Sequence, residues 1–150
     1  MIQQEKPHIF FMQETKCNST FLGTILSKAW PGSHTIAVDA IGASGRIAIA
    51  WNPHTTALTD FHATHHFKQA TFHIIGINEH GHLTNVYFPQ EAVNKSTILD
   101  TLMLLNSTWI QPLWIMGGNF NMVTKLEEKR GGRIKLDNES EHFKEFIQRN

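Results

Sequence analysis

The sequence contains 150 residues, 41% of them hydrophobic and 17% charged, and its 13 basic and 13 acidic side chains cancel. This length and composition suit one globular domain over residues 1–150 and exclude a largely disordered protein. The balanced charge excludes a broad cationic surface, so any contact with nucleic acid has to be local.

The cysteine content and the apolar segments predict an intracellular protein, nuclear or cytoplasmic. Cys17 is the only cysteine, so it has no disulfide partner within the chain. The opening segment MIQQEKPHIFFMQE has a proline and two acids where a signal peptide needs an uninterrupted apolar stretch. No segment approaches the roughly 18 apolar residues of a membrane span, so we predict no membrane association.

The first third of the chain predicts a strand, a helix and two further strands. The run Ile9–Met12 is short and bulky, which is typical of a strand buried on both faces, and it ends just before Glu14. Asn18 can cap a helix with apolar residues at helical spacing, and Pro31 ends it. HTIAVDA and GRIAIAWN then predict two strands joined by a turn over residues 42–45.

The middle of the chain predicts a hairpin and a helix. QATFHIIGIN and HLTNVYFP are strand candidates, and TALTDFHATHHF before them is a weaker one. EHGH between the pair indicates a tight turn, because Gly81 can adopt a positive φ. Residues 91–109 carry apolar side chains at helical spacing, and Pro112 breaks the pattern.

The last part predicts a buried strand in LWIM, a polar glycine-rich segment, and a helix from about Glu139 with Phe143, Phe146 and Ile147 on one face. Strands outnumber helices, and most neighbouring strands look hairpin-connected. The predicted fold class is therefore α/β of the α+β type, with a mixed or largely antiparallel sheet.

Four stretches in one order across residues 7–133 carry a family resemblance: PHIFFMQETK, GASGRIAIAWNP, LTNVYFPQ and WIMGGNFNMV. Together they resemble the endonuclease/exonuclease/phosphatase superfamily, and the second stretch with the later LEEKRGG is most similar to plant non-LTR retrotransposon endonuclease domains. The resemblance implies a partial four-layer αββα sandwich with mixed, largely antiparallel sheets. It also implies Mg²⁺ or Mn²⁺ as cofactor and DNA or another phosphodiester as substrate.

The resemblance assigns roles by motif position. Glu14 is the implied metal ligand, Tyr87 contacts the scissile phosphate, and Gln90 is the substrate-binding polar residue after the motif's proline. Asn119 and Asn121 occupy the Asp and Asn of the family's Asp-Phe-Asn motif, where the Asp activates water and the Asn binds the phosphate. A bound metal ion neutralises phosphate charge during attack by water, and Mg²⁺ prefers carboxylate oxygens as ligands.

The sequence departs from this pattern at Asn119, since a carboxamide cannot accept a proton from water near neutral pH. General-base catalysis is worth about 10²- to 10⁴-fold in rate, so we expect the substitution to impair catalysis. The family's first strand, which bears a metal-binding Asn, and its late Ser-Asp-His stretch have no counterpart in these 150 residues. We therefore expect an inactive remnant, truncated at both ends, that binds metal weakly and self-associates through exposed sheet edges.

Two other functions are compatible with the sequence. One is a non-catalytic nucleic-acid-binding module that uses the cations of EEKRGGR, which are Lys129, Arg130 and Arg133, although a solvated loop is the simpler interpretation of that segment. The other is an active phosphatase of the same superfamily whose missing histidine comes from another chain.

Individual site residues also have simpler interpretations. Glu14 can be a solvated residue after a strand, Tyr87 can pack in the core, and the glycines before Asn119 can form a plain turn. His62, His65 and His66 suggest zinc, but on a strand His65 opposes the other two, so exposed edge-strand residues are the favoured interpretation.

Overall fold

The computed structural model describes residues 5, 7–37, 47–89, 92–108, 113–122 and 138–149. They divide into two compact units: Met1–Tyr87 with Gln111–Asn119, and Phe88–Ile110 with Phe120–Asn150. The elements in chain order are β1 (Ile9–Met12), α1 (Ser19–Ala29), β2 (His34–Ala37), β3 (Ala48–Trp51), β4 (Thr56–Ala63), β5 (Phe67–Ile74), β6 (His80–Tyr87), α2 (Ala92–Thr108), β7 (Trp114–Asn119) and α3 (Asn138–Arg149).

The first unit contains two sheets. The three-stranded sheet has the order β1-β3-β2, and both pairings are antiparallel. The four-stranded sheet has the order β4-β5-β6-β7, with two antiparallel pairings and a parallel pairing between β6 and β7. The predicted α+β class with mixed, largely antiparallel sheets is therefore confirmed.

The two sheets pack face to face through apolar side chains that alternate along their strands. Ile49 and Trp51 of β3 contact a cluster from the four-stranded sheet that includes Phe72 and Leu83. Phe72 is 2% exposed and Leu83 is fully buried. Burial of apolar surface at about 25 cal/mol per Å² makes this interface the main source of cohesion between the sheets.

Helix α1 covers the other face of the three-stranded sheet. Its buried residues Leu22 and Leu26 pack, together with Trp30, against Ala48 and Ala50 of β3. The alternation of large and small residues along β3 explains this arrangement, because its alanines face the helix and its large side chains face the second sheet. The first unit thus has three layers: a helix and two sheets.

The second unit contains helices α2 and α3. The His142 ring of α3 lies 3.3 Å from the Asp100 carboxylate of α2. Phe143 is buried, and its ring centroid lies 4.9 Å from that of Phe120. Both predicted helices are confirmed, although Ile147, predicted on the same face as Phe143, is 52% exposed.

The hairpin between β5 and β6 is confirmed, but the role predicted for Gly81 is wrong. The chain turns after Ile74, and Gly76 adopts φ +93° in that turn. Gly81 lies inside β6 opposite Phe72, where a Cβ atom would overlap the carbonyl group of Leu113. Gly81 is therefore required by the close approach of a neighbouring backbone.

Strand β1 has the predicted bounds but is not buried on both faces. Met12 packs against the α1 cluster, whereas Phe10, two residues earlier on the same face, is 37% exposed. β1 is at the edge of its sheet, and of these two residues only Met12 packs against the α1 cluster.

Several predicted residues lie outside the part of the chain that the structure describes. They are Gln90, Lys129, Arg130, Arg133 and the turn at 42–45. Within the described ranges, no helix is long and apolar enough to cross a membrane.

Candidate functional site

Two predicted site residues stand at the ends of neighbouring parallel strands. Tyr87 is the last residue of β6 and Asn119 is the last residue of β7, and the two are register partners. Because parallel strands run in the same direction, their carboxyl ends lie at one edge of the sheet. The fold thus places the phenol and the carboxamide next to each other.

Glu14 reaches the same edge from the other sheet. It follows β1 and adopts φ +52°, a left-handed conformation that is uncommon for residues with a side chain. The Tyr87 hydroxyl donates a hydrogen bond of 2.8 Å to Glu14 Oε1. The predicted metal ligand and the predicted phosphate contact, 73 positions apart in sequence, are therefore in direct contact.

This contact shifts the pKa of the phenol upward. The hydrogen bond to the Glu14 carboxylate raises the pKa of Tyr87 above its ordinary value, and burial and the negative charge of Glu14 add to the effect. Tyr87 is therefore a protonated donor at neutral pH. The Glu14 side chain is exposed, and its second oxygen makes no hydrogen bond to the described residues.

Asn85 makes hydrogen bonds to the chain directly before Glu14. Its side chain is fully buried, and its Nδ2 donates to the carbonyl oxygens of Met12 at 3.1 Å and Ala48 at 2.8 Å. Its Oδ1 accepts a bond of 2.5 Å from Nε2 of Gln13. One carboxamide thus ties β6 to β1 and β3 directly before Glu14, which makes it a positioning residue of this edge.

Asn85 was not among the residues predicted from the sequence. The available signal was the alternation in HLTNVYFP, which places Leu83, Asn85 and Tyr87 on one face of β6. Asn85 lies between Leu83 and Tyr87 on this face, which indicates a buried amide with specific hydrogen-bond partners. A buried amide without such partners would lower the stability of the protein.

The two glycines before Asn119 lie in β7 and serve close packing. A Cβ atom at Gly117 would lie 3.0 Å from the Phe11 ring of β1. Gly118 adopts φ +137°, and a Cβ atom there would overlap the backbone of Val86. These positions let the end of β7 approach both β6 and β1.

Asn121 belongs to the second unit. It adopts φ +48°, and its Nδ2 donates to the carbonyl oxygen of Phe88. Its own carbonyl oxygen accepts a bond of 2.9 Å from Lys95 Nζ. The side chain that the resemblance assigns to phosphate binding is thus bonded to backbone here.

The donor set of the first unit fits Mg²⁺ or Mn²⁺ better than zinc. Among the described residues, no group of three His, Cys, Asp or Glu side chains could hold a metal ion, and His62, His65 and His66 form no such cluster. Mg²⁺ needs only one or two carboxylates, because water and phosphate oxygens complete its shell. Glu14 is one exposed carboxylate of this kind at the sheet edge.

Comparison with solved structures gives three informative matches. The endonuclease domain of TRAS1, a telomere-specific non-LTR retrotransposon, matches with a TM-score of 0.70 and 14% identity over 99% of this chain and 62% of that one. An endonuclease/exonuclease/phosphatase family protein from Bacteroides thetaiotaomicron matches with a TM-score of 0.61 and 17% identity over 81% and 52%. D. rerio TDP2 complexed with single strand DNA product matches with a TM-score of 0.62 and 11% identity over 80% and 50%.

These similarities concern the fold, because the identities are low. This chain spans from 50% to 62% of the length of the three structures. No protein-family model matches the sequence, and no curated protein matches it.

Proposed function

We propose that this chain, which has the endonuclease/exonuclease/phosphatase fold, is a metal-dependent phosphodiesterase domain of the retrotransposon endonuclease type whose hydrolytic step is impaired. The observation that carries the proposal is the hydrogen bond between Tyr87 and Glu14 at the sheet edge where Asn119 is the register partner of Tyr87. This edge presents a carboxylate, a protonated phenol and a carboxamide side by side.

Each residue has a role that follows from its chemistry. Glu14 would hold Mg²⁺ or Mn²⁺, which when bound supplies positive charge to phosphate oxygens. Tyr87 has a single O–H, which it donates to Glu14 in this structure, so it would donate to a phosphate oxygen in exchange for that bond. Asn85 holds the β1 backbone, so the carboxylate and the phenol keep their spacing when a ligand binds.

Asn119 is the reason for the impairment. Its carboxamide can orient a water molecule through a hydrogen bond, but it cannot take a proton from that water. The loss of a general base reduces the rate by about 10²- to 10⁴-fold. Binding of metal and phosphate does not need this proton transfer, so we expect binding to persist where cleavage is slow.

DNA is the substrate class that the comparisons support. The TRAS1 match is to an endonuclease domain, and the TDP2 structure contains a single strand DNA product. A domain of this kind would act in the nucleus or the cytoplasm.

Nicking of supercoiled plasmid DNA with Mn²⁺ tests the proposal in three proteins: wild type, Glu14→Ala and Asn119→Asp. We expect wild type to nick no faster than Glu14→Ala, and Asn119→Asp to exceed wild type by about tenfold or more, because it restores a proton acceptor. Robust nicking by wild type that Glu14→Ala abolishes would refute the impairment. An Asn119→Asp protein no faster than Glu14→Ala would refute the role of position 119.

A further inference from the structure

Two histidines lie opposite each other beside the turn of the β5–β6 hairpin, and the proposed chemistry does not use them. His73 and His80 are register partners in the antiparallel pairing of these strands. Their ring centroids are 6.5 Å apart, and the ring planes are inclined by 17°. His73 is exposed and His80 is half-buried, so both rings can be reached from solvent.

The hydrogen-bond pattern of the hairpin brings these two side chains close together. The Ile74 N–H donates to the Glu79 carbonyl oxygen at 2.9 Å, so these two residues form a hydrogen-bonded pair. Hydrogen-bonded and non-hydrogen-bonded pairs alternate along an antiparallel ladder, which makes His73 and His80 a non-hydrogen-bonded pair. The Cα atoms of such a pair are only about 4.5 Å apart, and its side chains are closer than in the other kind of pair. The backbone thus holds two imidazoles side by side.

The two rings have the chemistry and the spacing of a metal chelate. Imidazole is the commonest metal ligand in proteins, and neither ring makes a hydrogen bond or an ion pair with the described residues. An imidazole nitrogen lies roughly 1 Å from its ring centre and binds metal ions at about 2.0–2.1 Å, so two rings that share one ion have their centres roughly 5–6 Å apart. A small rotation of the exposed His73 ring brings the pair into this range.

The number of protein ligands limits the kind of ion. His82 follows on the same face, but its Nδ1 lies 3.4 Å from Oγ1 of Thr71, and no group of three His, Cys, Asp or Glu side chains within the described ranges could hold a metal ion. Structural zinc sites use four protein ligands, so two imidazoles do not form one. Two imidazoles with water in the remaining positions suit Ni²⁺ or Cu²⁺, because affinity for nitrogen ligands rises towards that end of the first transition series.

The histidine pair is separate from the sheet edge that carries Glu14. His80 begins β6 and Tyr87 ends it, and seven steps along an extended strand span about 23 Å. The two residues also lie on opposite faces of β6, because side chains alternate and an odd number of positions separates them. The pair therefore shares no ligand with Glu14, and an inference about it does not rest on the proposed function.

We propose that His73 and His80 chelate one divalent transition-metal ion of the Ni²⁺ or Cu²⁺ type. The ion binds one nitrogen of each ring, and water molecules fill its other positions. Because the hairpin holds the two imidazoles together, the second bond forms within one molecule, and the affinity exceeds that of a single histidine. Loss of either ring removes this advantage.

Calorimetric titration of the untagged protein with Ni²⁺ at neutral pH tests the site in wild type, His73→Gln, His80→Gln and the double variant. We expect each single substitution to weaken the binding by about tenfold or more, because the chelate is lost. The double variant should bind no more weakly than the single variants, since the two rings act as one unit. Absence of Ni²⁺ binding in wild type, or wild-type affinity in both single variants, would overturn the proposal. Losses that add in the double variant would also overturn it.

His62→Gln is the matched control, because His62 lies in β4 opposite Gln69 and not opposite another histidine. It should keep the wild-type affinity for Ni²⁺. A loss equal to that of His80→Gln would show that single histidines account for the binding, which overturns the chelate. Circular dichroism of each variant without metal checks that it is folded.

A second measurement locates the ion in the wild-type protein. Modification of histidines by diethyl pyrocarbonate, mapped by mass spectrometry, should be slowed by Ni²⁺ at His73 and His80 and unchanged at His54, which is exposed in the turn after β3. Mg²⁺ should protect none of the three, because it prefers oxygen ligands. Equal protection of His54 by Ni²⁺ would contradict the site. Neither readout involves DNA cleavage, so the nicking assay and this test can fail independently.

Discussion

At the scale of single residues, Asn85 shows how one buried polar group positions a site. Its carboxamide makes three hydrogen bonds with no contact to solvent, and all of them reach residues on β1 or β3 or directly after β1. A buried amide with all its partners gives specificity that apolar contacts lack, since only one register of the two sheets satisfies it. The separation of Glu14 from Tyr87 therefore depends on Asn85.

The first prediction concerns the substitution Asn85→Leu. It should lower the free energy of unfolding by about 2–5 kcal/mol, because the carbonyl groups of Met12 and Ala48 lose their donor inside the protein. Urea unfolding followed by circular dichroism measures the change. Asn52→Ala is the control, since Asn52 caps an exposed turn through His54 and should cost about 1 kcal/mol or less. Equal losses in the two variants would contradict the positioning role of Asn85.

At the scale of elements, the glycine pair in β7 determines how closely the strands approach at the site. Gly118 combines a left-handed φ with contact to the backbone of Val86, so a methyl group there meets both backbone strain and a steric clash. Gly23, in the middle of α1, is different, because a Cβ atom added there would meet nothing within 4 Å beyond its chain neighbours and the backbone of its own helix. Substitution by alanine should therefore destabilise the protein at Gly118 and stabilise it at Gly23.

The second prediction compares Gly118→Ala with Gly23→Ala. Gly118→Ala should destabilise the protein by more than about 2 kcal/mol, because the strained φ and the overlap with Val86 both have to be relieved. Gly23→Ala should stabilise it by about 0.5–1 kcal/mol, since alanine favours the helix. Thermal unfolding of both variants measures the difference. A Gly118→Ala variant with the same stability as wild type would show that β7 does not end as described.

Individual strands and helices could be predicted from the sequence because their signals are local. The Asn18 cap and the apolar spacing after it identified α1, and the alternation of large and small residues identified β3. The roles of Gly81 and Asn85 could not be predicted, because each depends on a partner far away in sequence. The roles of Glu14 and Tyr87 came from the family resemblance, and their hydrogen bond was not predicted, since no local pattern brings residues 73 positions apart together.

At the scale of the whole molecule, the near-zero net charge and the exposed apolar side chains favour association. Exposed examples are Phe61 on the outer strand β4 and Leu104 in α2. Exposed sheet edges can pair with strands of other chains, and a net charge near zero gives little electrostatic repulsion against such pairing. Self-association stays a prediction, and sedimentation velocity over a range of concentrations measures it; a single monomer species throughout would contradict it.

The proposed function depends on one geometric claim: the two sheets pack so that Glu14 accepts a hydrogen bond from Tyr87. Tyr87 is the only tyrosine in the chain, so the ultraviolet absorbance of tyrosinate reports on it alone. The bond raises the pKa of Tyr87 in the folded protein, so its stabilising effect is present below the ordinary pKa of about 10 and is lost as the pH rises through the folded value.

The most direct measurement is a spectrophotometric pH titration of wild type and Glu14→Gln, with circular dichroism at each pH to confirm that the protein stays folded. We expect wild type to titrate above the ordinary value of about 10 and Glu14→Gln to titrate closer to it, because the hydrogen bond to a carboxylate and the negative charge of that carboxylate are both lost. Superimposable curves for the two folded proteins, both at the ordinary value, would contradict the contact and the site built on it.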